Sequence, residues 1–271
     1  MASQYFWTVA ARAAAIGLVL AIAPLANAYT ITQITDNATS DWAPAISGNN
    51  VAWSGYSNDG NDVEIYLWDG SNTTQITDNT ASDSAPAIWG NNVVWQGNDG
   101  NDLEIYLWDG SSTTQITNNA VNDYYPDISG NNVVWQGNDG NDLEIYLWDG
   151  SSTTQLTDNE SHDWQPSISG SNVVWEGDDG NDFEIYLWDG SATTQITDNA
   201  IGDYSAMISG NNIVWSRYDG NDYEIYFTTV PEPASGALLS LGLAGLIGTN
   251  RRSKRVLHHR SHRAQARYGI M

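Results

Sequence analysis

The sequence predicts an all-β fold: a five-bladed β-propeller with four-stranded antiparallel blades. Three observations support it. A unit of about 40 residues recurs five times, each unit holds four short strand-like segments, and a lone fourth-strand sequence precedes the first complete unit. The Gln of a Gln-Ile/Leu-Thr segment marks the period, with spacings of 42, 40, 40 and 40 residues, at Gln33, Gln75, Gln115, Gln155 and Gln195. This period with four strands is typical of propellers, whereas β-helices or stacked hairpins, the alternative, usually have shorter repeats.

The third unit shows the four predicted strands. They cover residues 126–129, 133–136, 143–148 and 153–157, with Gly, Asn and Asp turn residues between them. β-branched and aromatic residues fill the second and third strands. Because apolar residues occur at both odd and even positions of the third strand, both faces of the sheet must be covered. A blade between two neighbouring blades meets that requirement.

The two ends of the repeat region predict how the ring closes. Residues 30–35 read as a fourth strand before any complete unit, and residues 224–227 read as a third strand with no fourth strand after it. The sequence therefore predicts that the N-terminal strand completes the last blade and leaves no open sheet edge. The propeller region would then span residues 29–229.

The unit resembles the TolB-type and WD-like propeller repeat over about residues 30–228. The fourth unit carries the matching residues: Leu156-Thr157, Asp163, Pro166, Ser169, Val173-Val174-Trp175, Asp179-Gly180 and Ile185-Tyr186. Two features depart from that family. Most copies read Ser-Gly-Asn-Asn where its turn reads Ser-Pro-Asp-Gly, and TolB itself has six blades. The resemblance implies the fold and leaves the activity open, since propellers host lectins, hydrolases, lyases and scaffolds.

The N-terminus is typical of an exported protein. Arg12 precedes an apolar run at residues 13–25, and Ala26-Asn27-Ala28 forms a small-x-small cleavage site. We therefore predict a signal peptide at residues 1–28 that is cleaved after Ala28. The alternative is a membrane anchor, for which the run is short.

The C-terminal segment has three ordered parts: a proline-containing motif, an apolar stretch at residues 234–248 and a basic cluster at residues 251–255. The motif is Val230, Pro231, Glu232 and Pro233. Over residues 230–255 the order resembles the PEP-CTERM sorting signal of proteins handled by an exosortase. The resemblance implies a cell-surface or extracellular-matrix location with transient membrane anchoring, and the alternative is an ordinary C-terminal anchor. Residues 256–271 continue past the family's usual end, and we predict a disordered tail there.

Charge is strongly asymmetric. Between Tyr29 and Val230 the chain has 32 Asp or Glu residues and a single basic residue, Arg217, which gives a formal charge of −31. Binding nucleic acid or an anionic membrane surface requires Lys and Arg, so this region favours cations, basic partners or solvent instead. The chain has no cysteine, which excludes disulfides and thiolate chemistry. We expect membrane contact only through the C-terminal segment.

The Asp-Gly-Asn-Asp turn of each unit, preceded by asparagine in three units, is the candidate metal site. It offers carboxylate and amide oxygens around a glycine, and calcium prefers six to eight such ligands. The predicted ligands are Asp99, Asp102, Asp139, Asp142, Asp179, Asp182, Asp219 and Asp222. A plain hairpin turn explains the same letters. The following glutamate, as in Glu104 or Glu144, begins a strand and need not face the turn.

Aromatic residues suggest a second type of site. Trp recurs at one position of the second strand in every unit, which favours packing between blades over sugar binding. The connections between blades carry aromatic residues that differ from unit to unit and are better candidates for stacking on a glycan: Trp42, Tyr124, Tyr125, Trp164 and Tyr204.

No catalytic site is evident. The propeller region has one histidine, His162, and no nucleophile-elbow motif. We therefore expect a non-enzymatic surface or matrix module that binds calcium, a glycan or a protein partner, and that meets signal peptidase and an exosortase-like enzyme during export. The alternatives are a carbohydrate-active lyase or hydrolase acting near His162, and a purely structural scaffold.

Overall fold

The computed structural model describes residues 31–57 and 60–231. Residues 39–57 and 60–231 form five antiparallel sheets, the blades of a β-propeller, and four of them have four strands. Blade 1 contains β1 Asp41–Ser47, β2 Asn50–Tyr56, β3 Val63–Trp68 and β4 Thr73–Gln75. Blade 2 contains β5 Asp83–Trp89, β6 Asn92–Asn98, β7 Leu103–Trp108 and β8 Thr113–Gln115. Blade 3 contains β9 Asp123–Ser129, β10 Asn132–Asn138, β11 Leu143–Trp148 and β12 Thr153–Gln155. Blade 4 contains β13 Asp163–Ser169, β14 Asn172–Asp178, β15 Phe183–Trp188 and β16 Thr193–Gln195. Blade 5 contains β17 Asp203–Ser209, β18 Asn212–Tyr218 and β19 Tyr223–Thr229.

The predicted propeller is confirmed, and so is the order of strands within a blade. In blade 3 the third strand has the predicted bounds, while the first begins three residues earlier, at Asp123. A bulge in the first strand explains the difference. The pairing between β9 and β10 is interrupted at Tyr125, whose φ is 49°. This left-handed conformation is uncommon for a non-glycine residue, and it recurs at the same position of every blade. The first strands of all five blades line one cavity of about 460 Å³.

The core lies between successive blades. The isoleucine of one blade's first strand packs on the second and third strands of the preceding blade. Ile88, for example, is buried with Ala52, Ile65 and Leu67. The second-strand tryptophan of each blade packs within its own sheet as well: Trp135 stacks on Tyr146 with ring centroids 5.8 Å apart. The recurring tryptophans are therefore packing residues.

A closed ring is not detected in the described residues. Blade 5 has three strands there, and residues 31–36 form no strand, so the pairing of the N-terminal strand with the last blade stays a prediction.

Several predictions lie outside the described residues. These concern the signal peptide with its cleavage after Ala28, the apolar and basic parts of the C-terminal segment, the tail at residues 256–271, and Glu232 and Pro233 of the sorting motif. In the part of the chain that the structure describes, no helix is long and apolar enough to cross a membrane.

Candidate cation sites

The turn between the second and third strands is built by aspartate and asparagine side chains. In blade 2, Asp99 Oδ1 accepts the backbone N–H of Asn101 at 2.8 Å, and Asn98 Oδ1 accepts that of Gly100 at 2.8 Å. The backbone of Asp99 closes the turn by donating to the carbonyl oxygen of Asp102 at 3.1 Å. The hydrogen bond from Asn101 holds the pKa of Asp99 below its usual value, so this carboxylate is ionised at neutral pH. The hairpin-turn interpretation therefore holds for the local structure.

A third carboxylate joins each turn. Oxygen atoms of Asp99, Asp102 and Glu104 lie within 4.8 Å of one another. Glu104 is not among the predicted ligands, because a residue that begins a strand need not face the turn. The structure nevertheless brings Glu104, the second residue of β7, into the cluster. Glu104 is fully buried and Asp102 nearly so.

Two of these carboxylates have oxygens without a hydrogen-bond partner. Glu104 Oε1 accepts the backbone N–H of Asn119 at 2.7 Å, whereas Oε2 is buried and unpaired. Asp102 Oδ1 is likewise buried and unpaired. Buried polar atoms normally have a partner, and an unpaired one points to an ion, a water molecule or a proton. Converging carboxylates at this separation fit a hard divalent cation, whose ligands lie 2.3–2.6 Å away in the case of calcium.

The eight predicted ligands are not equivalent from blade to blade. Blade 3 repeats the cluster with Asp139, Asp142 and Glu144, again with one unpaired buried oxygen each on Asp142 and Glu144. Blade 5 brings Asp219, Asp222 and Glu224 together, but all three are exposed. In blade 4 the cluster consists of Asp179, Glu184 and Asp198, and it does not include Asp182. Asp198 comes from the connection to the next blade, a position that the turn motif does not reveal.

A buried aspartate network lies beside the clusters of blades 2, 3 and 4. In blade 3, Asp123 Oδ1 accepts the indole N–H of Trp135 at 3.0 Å, and Oδ2 accepts the amide N–H of Asn119 at 2.9 Å. Asn119 also donates its backbone N–H to Glu104 of the preceding blade, so it links the two carboxylates across the junction. Burial raises the pKa of Asp123 to about 7, and the nearby charge of Glu104 adds to the shift. Burial raises the pKa of Glu144 to about 7 as well.

The predicted glycan-binding aromatic residues do not form one site. Tyr125 is exposed and lines the central cavity, and Trp42 packs edge-on against Tyr56. Tyr124 contacts Tyr125 and also borders a separate pocket beside His162. Trp164 and Tyr204 do meet, through Phe183, with ring centroids 5.1 and 5.7 Å from it. This run of rings continues from Tyr204 to Tyr223 across blades 4 and 5.

His162 has a structural contact. Its Nδ1 accepts the backbone N–H of Leu143 at 3.1 Å. Asn122 Oδ1 makes the equivalent contact with Leu103 in the preceding unit, at 2.9 Å. The histidine therefore takes a position that asparagine fills elsewhere, as a hydrogen-bond acceptor for the start of a third strand.

The sorting motif begins directly at the last blade. Val230 donates its backbone N–H to the carbonyl oxygen of Asn211 at 2.7 Å and packs on the core between blades 4 and 5. The motif thus begins at the residue that directly follows the last residue of β19.

Comparison with known proteins identifies the motif and the fold. Residues 229–255 match the model of the PEP-CTERM protein-sorting motif. This motif implies export, C-terminal anchoring and processing by exosortase-like sorting machinery. No curated protein matches the chain.

Solved structures resemble the propeller at low sequence identity. Hydrazine synthase of Kuenenia stuttgartiensis matches at 14% identity and a TM-score of 0.53, over 72% of this chain and 39% of its own. The putative TolB of Agrobacterium tumefaciens matches at 20% identity and a TM-score of 0.46, over 68% of this chain and 72% of its own. The β-propeller domain of the trilobed protease of Pyrococcus furiosus matches at 12% identity and a TM-score of 0.45, over 71% of this chain and 81% of its own. The chain thus spans well under half of the hydrazine synthase chain, and the likenesses concern the fold.

Proposed function

We propose that this TolB-like β-propeller with a PEP-CTERM sorting motif is a non-enzymatic surface or matrix module that binds divalent cations, calcium in particular, between its blades. The observation that carries the proposal is the unpaired pair of buried oxygens, Asp102 Oδ1 and Glu104 Oε2, in a cluster that also contains the ionised Asp99. The same arrangement recurs in blade 3.

Electrostatics also support a cation. Carboxylates that converge in a buried site repel one another, and the repulsion is poorly screened there. The region as a whole has a formal charge of −31. A bound cation lowers both the repulsion within the site and the net charge of the region. It also links the turn of one blade to a glutamate that accepts a hydrogen bond from the connection to the next blade. Calcium is then expected to stabilise the junctions between blades.

The test is calcium binding measured by calorimetry and by thermal unfolding of the full chain. Extracellular calcium modules bind with Kd values of about 10⁻⁴ to 10⁻³ M. At ten times the Kd, each occupied site adds about 1.4 kcal/mol to the free energy of unfolding. We therefore expect a clear rise in the unfolding temperature with millimolar calcium.

Matched variants locate the site. Asp102→Asn and Glu104→Gln should each remove about one bound ion while the other clusters continue to bind. Asp109→Asn is the control, since Asp109 is an exposed aspartate in the other turn of the same strand and accepts backbone N–H groups from Ser111 and Ser112. Equal stoichiometry in all three variants, or no response of the wild type to calcium, would refute the proposal.

A second candidate function is glycan binding on the ring run of Trp164, Phe183 and Tyr204. The favouring observation is the run of neighbouring rings itself, with Phe183 at 5.1 Å from Trp164 and at 5.7 Å from Tyr204 between ring centroids, since aromatic faces are what a sugar ring stacks on. A glycan array with the Trp164→Ala variant as comparison tests it. Loss of a signal present in the wild type supports the idea, and an unchanged or absent signal contradicts it.

A further inference from the structure

The two ends of the blade array present opposite halves of one interface. Each internal junction joins the first strand of one blade to the second and third strands of the blade before it. Ile88 of blade 2 packs on Ile65 and Leu67 of blade 1 in this way, and Ile208 of blade 5 packs on Ile185 and Leu187 of blade 4. Within residues 31–57 and 60–231, no blade precedes blade 1 and none follows blade 5.

Both terminal faces are exposed and apolar. On blade 1, Ile46 is 71% exposed, whereas Ile88, at the same repeat position, is 8% exposed. On blade 5, Ile225 is 75% exposed, whereas its equivalent Ile65 is 0% exposed. Phe227, next on the same face, is 61% exposed. Contiguous exposed apolar residues of this kind mark an interaction surface.

Blade 5 also has an unpaired edge among the described residues, since β19 has no fourth strand beside it. In the other units a Thr-Thr-Gln-Ile/Leu-Thr sequence supplies that strand. The only further copy of its last four letters, Thr32 to Thr35, immediately precedes blade 1. The segment that could supply the missing fourth strand therefore directly precedes blade 1, which carries the apolar face that blade 5 lacks as a neighbour.

We infer that the last blade of one copy binds the segment 31–35 and the first blade of a second copy. The occupant is a second copy because both terminal faces are exposed in the part of the chain that the structure describes, and because the same contact already exists four times between successive blades. The contact joins two different surfaces of the chain and is therefore heterologous. Two copies then form one closed ring together, or further copies add blades to an open row.

The docked copy would also complete the cation cluster of blade 5. Glu104 receives a backbone N–H from Asn119, which lies two residues after the fourth-strand threonine of that unit. Asn37 has this position before blade 1. The second copy would thus bury Asp222 and Glu224, which are exposed in the single chain. The association itself rests on the apolar faces and stands independently of calcium.

The absence of cysteine from the chain allows a direct test by cross-linking. Ile46→Cys and Phe227→Cys are made as separate variants of the full chain, mixed in equal amounts in a mild detergent with a calcium chelator, and oxidised. We expect disulfide-linked pairs of different chains. Phe227→Cys mixed with Ile201→Cys is the control, because Ile201 is exposed at 41% but lies on neither terminal face. The double variant Ile88→Cys, Leu67→Cys shows how readily a disulfide forms across a junction between two blades of the same chain.

Light scattering provides a second measurement. The wild-type full chain should show a particle mass of at least two copies after subtraction of detergent, and Ile225→Asp should halve that mass or reduce it further. Because Ile225 is exposed, the variant is expected to fold. Ile201→Asp should keep the wild-type mass.

Three results overturn the inference. The first is cross-linking between Ile46→Cys and Phe227→Cys only when both are in the same chain, which means that the chain closes on itself. The second is a yield no higher than that of the Ile201→Cys control. The third is a wild-type particle of one copy. Failure of calcium binding alone leaves all of these measurements unchanged, so it is distinguishable from failure of this inference.

Discussion

Blades 3 and 5 hold the same buried aspartate in two different ways. Asp123 and Asp203 both begin a first strand and both accept the indole N–H of a second-strand tryptophan. In blade 3 the residue facing the carboxylate is Gly137, and burial raises the pKa of Asp123 to about 7. In blade 5 it is Arg217, which pairs with Asp203 through Nε at 2.6 Å and Nη2 at 2.7 Å. Burial pushes the pKa of Asp203 upward, but the hydrogen bonds from Arg217 and Asn199 outweigh it and hold the pKa below its usual value.

The difference arises within each blade. In blade 3, a side chain at the glycine position would collide with Asp123 and with the ring of Tyr146, which belong to the same sheet. In blade 5, Arg217 is one-fifth exposed and lies over the ring of Tyr226 at 4.5 Å. The ion pair therefore forms where the guanidinium still reaches water.

Replacing Arg217 by glycine makes blade 5 like blade 3, and it has the largest expected effect. Removing one member of a buried pair leaves Asp203 uncompensated, which we expect to cost about 3 kcal/mol of unfolding free energy at pH 7.5. The loss should shrink at pH 5, where Asp203 can take up a proton. Urea denaturation at the two pH values measures this, with Arg217→Lys as the control that keeps a positive charge. An equal loss at both pH values would contradict the comparison.

Glu176→Gln tests a second difference between neighbouring blades. Glu176 accepts the backbone N–H of Ser205, as Gln136 accepts that of Gln165 one blade earlier. Burial raises the pKa of Glu176 to about 7. The folded state thus binds a proton that the unfolded state releases near pH 4.5, so the contribution of this group to stability is present below that pH and is lost as the pH rises to 7.

The glutamine variant should therefore be about as stable as the wild type at pH 4.5 and more stable by about 2–3 kcal/mol at pH 8. Denaturation midpoints across this pH range, taken in a calcium chelator, measure the difference. Parallel pH profiles of the wild type and the variant would show that the pKa of Glu176 is not raised in the folded state.

Gly137→Ala has the smallest expected effect. A Cβ at this position meets Asp123 Oδ1 and the Tyr146 ring, so the network must shift, at a cost of about 1–2 kcal/mol. The measurement is the denaturation midpoint together with the fluorescence of the stacked Trp135. An unchanged midpoint would contradict this prediction, because it would show that Asp123 moves away from the new methyl group without a measurable cost.

The local structure of the blades could be predicted from the sequence alone. The period, the four strands of blades 1 to 4, the glycine and asparagine turns and the sorting motif were all predicted, because each depends on residues that are close in sequence. The recurring tryptophans were correctly favoured as packing residues for the same reason: a residue copied in each unit meets the same neighbours in each unit.

Which side chains meet across a junction could not be predicted from the sequence. Glu104 lies near the start of a strand, and strand periodicity gives two possible faces without saying which one ends beside the turn. Asp198 reaches its cluster from the connection to the next blade, and His162 takes the acceptor position that Asn122 has one unit earlier. These contacts join residues of different strands and connections, so no pattern within one segment fixes them.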